Sequence, residues 1–164
     1  MKSQTAFSRL ESRTNHVWFS ALLTVLRIGV GIQFFHAGVT KFGGWSAEGY
    51  LNGASGPFTG FFHSLAGNPV VDQLNIWGLT LIGVALILGL AVRSASFFGI
   101  MMMALYYLAQ FDQNTAHGLI EQHVILIFVF LLFMGGGVGH TYGLDTIAHG
   151  YLPKKQRLAN LLFG

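Results

Sequence analysis

Apolar residues fall in four long blocks along the chain, separated by short stretches rich in glycine, polar and aromatic residues. Residues 1–16 are polar and read as a leader. The first block, residues 17–37, supplies the ~20 apolar residues that a membrane-spanning helix needs. A glycine- and phenylalanine-rich connection follows. Within it Phe58, Phe61, Phe62 and Leu65 recur at i, i+3, i+4 and i+7. That spacing predicts a short amphipathic helix over residues 57–66, lying at the membrane interface. The alternative is a loop whose phenylalanines cap the bundle. Asn68-Pro69 is a helix start, with asparagine as N-cap and proline at the first helical position.

The second block then runs over residues 69–91, where Ala85 and Gly89 form a small-xxx-small pair suited to close helix approach. Arg93 and Ser94 are expected to make a tight turn into the third block, residues 95–110. Residues 111–120 read as a polar turn, and the fourth block spans 121–136. A glycine-rich exit leads to a basic tail over residues 145–164. The expected architecture is all-α: a polytopic four-helix membrane bundle over residues 17–144, with a short interfacial helix in its first connection.

Composition supports this class. The 164 residues are 52% hydrophobic and only 9% charged, against about a quarter charged in soluble domains. No cleavable signal peptide is expected, since the first apolar run is long enough to stay as a span. The net charge of +3 does not point to nucleic acid, because the basic residues flank the spans and act as topology signals. Lys2, Arg9, Arg13, Arg93, Lys154, Lys155 and Arg157 fall on one side and Lys41 on the other. The positive-inside rule then predicts both termini in the cytoplasm. Cysteine is absent, so the chain cannot perform thiol–disulfide chemistry or hold a thiolate-bound metal. A redox role would need a bound cofactor, a quinone or a partner.

Arg27 stands about ten residues into the first span, where insertion costs ~2.5–3.5 kcal/mol. Gly31, Phe34 and Gly38 share its face, and Lys41 lies close to the same stripe. One reading is a site for an anion or a quinone head. The other is a structural pair, with Glu121 or with helix carbonyls. His36 and Gln33 lie on a different face. His36 and His123, at similar depth, could ligate haem, and Asp112, His117, Glu121 and His123 could hold a divalent cation. Ordinary hydrogen bonding satisfies all of these equally well. Glu121 and His123 are two residues apart, so they are not an i, i+4 metal pair. They suit a proton path, because reducing a quinone takes up protons. Trp45 is an interfacial anchor or a surface for stacking a quinone ring.

Four stretches carry a resemblance to a known family. They are LRIGVGIQFFHAGVTKF, GPFTGFFHSLAGNPVVDQLNIWGL, IGVALILGLAVRSASFFGIMMMALYYLA and GHTYGLD. Together with Glu121-Gln122-His123, they resemble the DoxX/DoxD family of four-span membrane proteins across about residues 20–146. The resemblance implies a four-helix bundle in a prokaryotic cytoplasmic membrane. In one branch of the family the protein is the membrane subunit of a thiosulfate:quinone oxidoreductase, working with a second subunit. In another it organises an oxidative-stress complex with superoxide dismutase and a sulfurtransferase. The leading expectation is therefore a quinone-linked redox subunit that passes electrons from a small sulfur species to quinone. Arg27, Lys41, Gly31, Phe34 and Trp45 would surround the quinone head, and Glu121 and His123 would manage protons. The expected partners are the lipid bilayer and either another subunit or a second copy of the chain. The alternatives are a non-catalytic scaffold subunit and a small anion transporter.

Overall fold

The computed structural model describes residues 2–116, 118–136 and 143–144, with side chains from Val17 onward. The described residues form α1 (Lys2–Val39), α2 (Glu48–Asn52), α3 (Thr59–Leu65), α4 (Pro69–Leu88), α5 (Val92–Ala109), α6 (Phe111–Thr115) and α7 (Gln122–Gly135). Three segments are long and apolar enough to cross a bilayer: Val17–Val39, Pro69–Leu88 and Val92–Ala109. Leu22, Val25, Leu74, Leu81, Phe98 and Phe128 are exposed on the outside of the bundle. Apolar surface on that scale suits lipid rather than water. The chain is an all-helical membrane protein.

Several boundaries differ from those expected. α1 runs unbroken from Lys2, so the polar leader continues the first helix instead of standing apart from it. α5 begins at Val92, so Arg93 and Ser94 lie in its first turn. The tight turn is Gly89 to Ala91, with Gly89 left-handed (φ 65°) and Ala91 left-handed as well (φ 51°). α7 has 14 residues, or ~21 Å at 1.5 Å per residue, short of a ~30 Å hydrocarbon core. The expected fourth block is thus a shorter apolar helix. The tail over residues 145–164 lies outside the described residues. Two single-turn helices, α2 and α6, are additional to the expected elements, and α3 is shorter than the predicted 57–66.

α1 and α4 pack antiparallel along glycines. A Cβ on Gly38 would lie 2.3 Å from Thr80 Oγ1, one on Gly83 would lie 2.3 Å from Phe35 N, and one on Gly31 would lie 2.9 Å from Ile87 N. The backbones touch because nothing projects between them, the usual basis of close helix packing in membranes. α5 and α7 also meet at a glycine, but there a side chain fills the space: the Phe130 ring lies on Gly99. Phe34 meets Phe130 edge to face at 5.2 Å, joining the two helix pairs.

One end of the bundle holds α2, α3 and α6; this is the cap end. The α4–α5 turn marks the other. The cap is fastened by few bonds. Asp72, in the first turn of α4, accepts from Ala47 N at 2.7 Å. Ser55 N donates to Ala109 O at 2.9 Å. Tyr50 Oη donates to Tyr106 O at 3.2 Å. Asp72→Ala removes the shortest of these, a bond to a half-buried carboxylate, and should lower cap stability by ~1–2 kcal/mol. Hydrogen exchange should quicken at residues 47–54 and stay unchanged in α5.

Candidate functional site

Beneath the cap lies a cavity of about 640 Å³, within the ~300–1,000 Å³ range of small-molecule sites. Its deep wall is apolar, built from Phe34, Leu79, Met103 and Leu126. Its upper wall is the cap itself, with Leu51, Phe62 and Leu65 facing in. Its polar lining includes Lys41 after α1, Tyr50 on α2, Asn75 on α4, Tyr106 on α5, and Glu121 with His123 at the start of α7, with the amides Gln33, Gln110, Asn114 and Gln122 beside them.

The α7 start explains the last two. Glu121 is the N-cap, and its carboxylate accepts from His123 N at 3.0 Å. The same oxygen, Oε2, bonds His123 Nδ1 at 2.5 Å. Burial pushes the Glu121 carboxyl up. The bonds from the His123 backbone and ring, attraction to that ring, and the Gln122 backbone outweigh it and hold the group below its usual range. The ionised carboxylate fixes Nδ1 as the protonated nitrogen and leaves Nε2 to exchange protons. The His123 ring packs edge to face on Tyr106 at 5.9 Å.

Tyr106 is held on every side. Tyr50 packs against it at 5.9 Å, and Asn75 Nδ2 donates to its hydroxyl at 2.6 Å. Asn75 Oδ1 is buried with no hydrogen-bond partner among the described residues. An unmet buried acceptor costs ~1–3 kcal/mol and calls for an explanation. Burial, with the Glu121 charge second, pushes the Tyr50 hydroxyl up to about 12, so it stays a donor at neutral pH.

Lys41 stands at the mouth, its ammonium 4.4 Å from the centroid of the Trp45 ring. Among the described residues no carboxylate pairs with it. Burial lowers its pKa, which reflects incomplete hydration of the charge.

The structure divides the expected site residues into two groups. Lys41, Phe34, Trp45, Glu121 and His123 all line the cavity, although the first and last are 82 positions apart in sequence. Arg27 and Gly31 lie elsewhere. Gly31 sits in the α1–α4 contact against Leu86 and Ile87. Arg27 is buried, 1% exposed, with its guanidinium beside Gly89 and Gly143 at the α4–α5 turn. There it meets the C-terminal end of α4, whose partial negative charge favours a cation. Leu144 N donates to Leu88 O at 3.1 Å and closes the same corner. Glu121 is at the opposite end of the bundle, so it is not the partner of Arg27.

His36 is exposed on α1 and does not line the cavity, whereas His123 does. No group of three His, Asp or Glu side chains suited to a metal exists among the described residues. His117, one of the four expected metal ligands, lies outside them. Sequence reasoning missed Asn75 and Tyr106. The available signal was a hydrogen-bonding side chain in each of two predominantly apolar spans.

No curated protein matches the chain, and no solved structure does. The DoxX family model matches residues 22–112, from within α1 to α6. That range supplies Lys41, Tyr50, Asn75 and Tyr106 of the cavity and leaves Glu121 and His123 beyond it. Since the match covers more than half of the chain, the protein belongs to the DoxX family.

Proposed function

We propose that this protein is the membrane subunit of a quinone-linked redox system, and that the cavity beneath the cap holds the quinone head. One observation carries the reading: an apolar, aromatic-walled cavity gathers Lys41, Tyr106 and the Glu121–His123 pair from distant parts of the chain. The residues fit such a group. Lys41 offers a donor to a carbonyl or anionic oxygen, and Trp45 offers a face for stacking. Phe34, Leu79 and Met103 exclude water from the deep end. His123 exchanges a proton through Nε2, and Glu121 steadies the charged imidazole. A bound quinone supplies the capacity to take up two electrons and two protons.

The donor is a small sulfur species. In the reaction implied by the family resemblance, two thiosulfates each give up one electron and join as tetrathionate, and the donor site lies on a partner subunit. By the distribution of basic residues, the cap end faces away from the cytoplasm. The test is reduction of decylubiquinone by thiosulfate, using protein purified in lipid nanodiscs with any subunit that stays bound. Turnover should be lost in His123→Phe and fall about tenfold or more in Lys41→Leu, the loss of a charge-assisted bond. Thiosulfate-dependent reduction that is unaffected by both substitutions would refute this assignment of the site.

A further inference from the structure

The Asn75–Tyr106 pair has no place in the proton-handling scheme, yet its two side chains are closely bonded to each other at the cavity wall. Tyr106 is clamped between the rings of Tyr50 and His123, each at 5.9 Å. Its main-chain carbonyl is tied to the Tyr50 hydroxyl. Asn75 Nδ2 donates to its phenolic oxygen at 2.6 Å. A phenol has one proton to give. With Asn75 acting as donor to the oxygen, the Tyr106 proton is directed away from Asn75. Toward a ligand in the cavity, Tyr106 is then a fixed donor.

We infer that Tyr106 is the ligand-orienting residue of the cavity, donating a hydrogen bond to a ring carbonyl of an oxidised quinone, with Asn75 setting the direction of that bond. This rests on the quinone reading above. It goes beyond that reading by naming the oxidation state that the site prefers. A carbonyl oxygen accepts well from a fixed donor, whereas the hydroxyl of a quinol must also place its own proton. Asn75 and Tyr106 come from different helices, α4 and α5, so the pair also registers the two spans against each other beside the ligand.

The experiment uses the full chain in nanodiscs, loaded with decylubiquinone or decylubiquinol. Two quantities are measured: equilibrium binding, and the infrared carbonyl band of carbon-13-labelled quinone. In the unaltered protein the oxidised form should bind more tightly, with its carbonyl band shifted down from the value in lipid. Tyr106→Phe should weaken quinone binding about tenfold, the effect of one lost hydrogen bond, and should return that band to its lipid position. Quinol binding should change little. Asn75→Asp replaces the donor with an acceptor, so Tyr106 turns its proton toward the new carboxylate. This variant should reproduce the loss, and the double variant should be no worse than either single one. If the unaltered protein binds quinone but Tyr106→Phe leaves affinity and band unchanged, the inference fails while the quinone reading stands. If the unaltered protein binds neither form, both are overturned.

Discussion

Gly83→Ala is expected to destabilise the protein by ~3 kcal/mol, at the upper end of the range for overpacking. The added methyl would lie 2.3 Å from Phe35 N, 2.6 Å from Phe35 Cα and 2.8 Å from Gly31 O. All three are main-chain atoms of α1, which cannot turn aside as a flexible side chain can. The helices must separate, and the separation would loosen the contact that also holds Gly31 and Gly38. Gly29 provides the control. It lies on α1, the helix that faces Gly83, with nothing within 4 Å of an added Cβ. Gly29→Ala should therefore be neutral or stabilise slightly, by up to ~1 kcal/mol, through helix propensity alone. Unfolding in mixed detergent micelles, followed by circular dichroism, reads both. Equal stability of the two variants would contradict the close α1–α4 contact.

Glu121→Gln should lower quinone reduction by about a hundredfold, the lower range for a lost acid–base group. The amide oxygen can still accept from His123 N, so the α7 start should keep its cap. The substitution removes the charge that steadies a protonated His123. Acid should act on the same group in the unaltered protein. The folded-state pKa of Glu121 lies below its ordinary value of 4.5. A depressed carboxyl contributes stability that is present above the ordinary pKa and is lost as pH falls through the folded-state value. The α7 start should accordingly hold at neutral pH and loosen only in acid below the ordinary carboxylate range, as read by hydrogen exchange at residues 122–126. In Glu121→Gln that acid step should disappear, while an unchanged step would assign it to another carboxyl.

The membrane class and the three long spans were legible because a run of ~20 apolar residues has few other uses. The start of α4 was legible as well, because Asn68-Pro69 is a local signal; the fourth block was placed from residue 121 by its apolar run, and the capping role of Glu121 appeared only in the folded chain. Helix faces were less so. The stripe of Gly31, Phe34 and Gly38 was visible in the sequence, but its covering was not. Periodicity shows that a face is buried and does not say whether a ligand or another helix buries it. Here α4 covers the glycines, and only Phe34 of that stripe reaches the cavity. Arg27 illustrates the same limit. A charge in a span demands compensation, and the compensation lies at the α4–α5 turn, which chain order does not reveal. The one-turn helices α2 and α6 have five residues each, too few for a 3.6-residue period to register. Asn75 and Tyr106 were readable as polar residues in spans. Their pairing depends on the α4–α5 register, which only the folded chain supplies.

The proposed quinone site of this DoxX protein is the cavity beneath the cap. Photolabelling tests it most directly. An azido-substituted ubiquinone analogue is irradiated with the purified protein, and the labelled peptides are identified by mass spectrometry. Label should appear on residues 45–65 and 121–126, and excess decylubiquinone should compete it away. Label confined to the lipid-facing side chains of Leu74, Trp77 and Leu81, with no competition, would contradict the account.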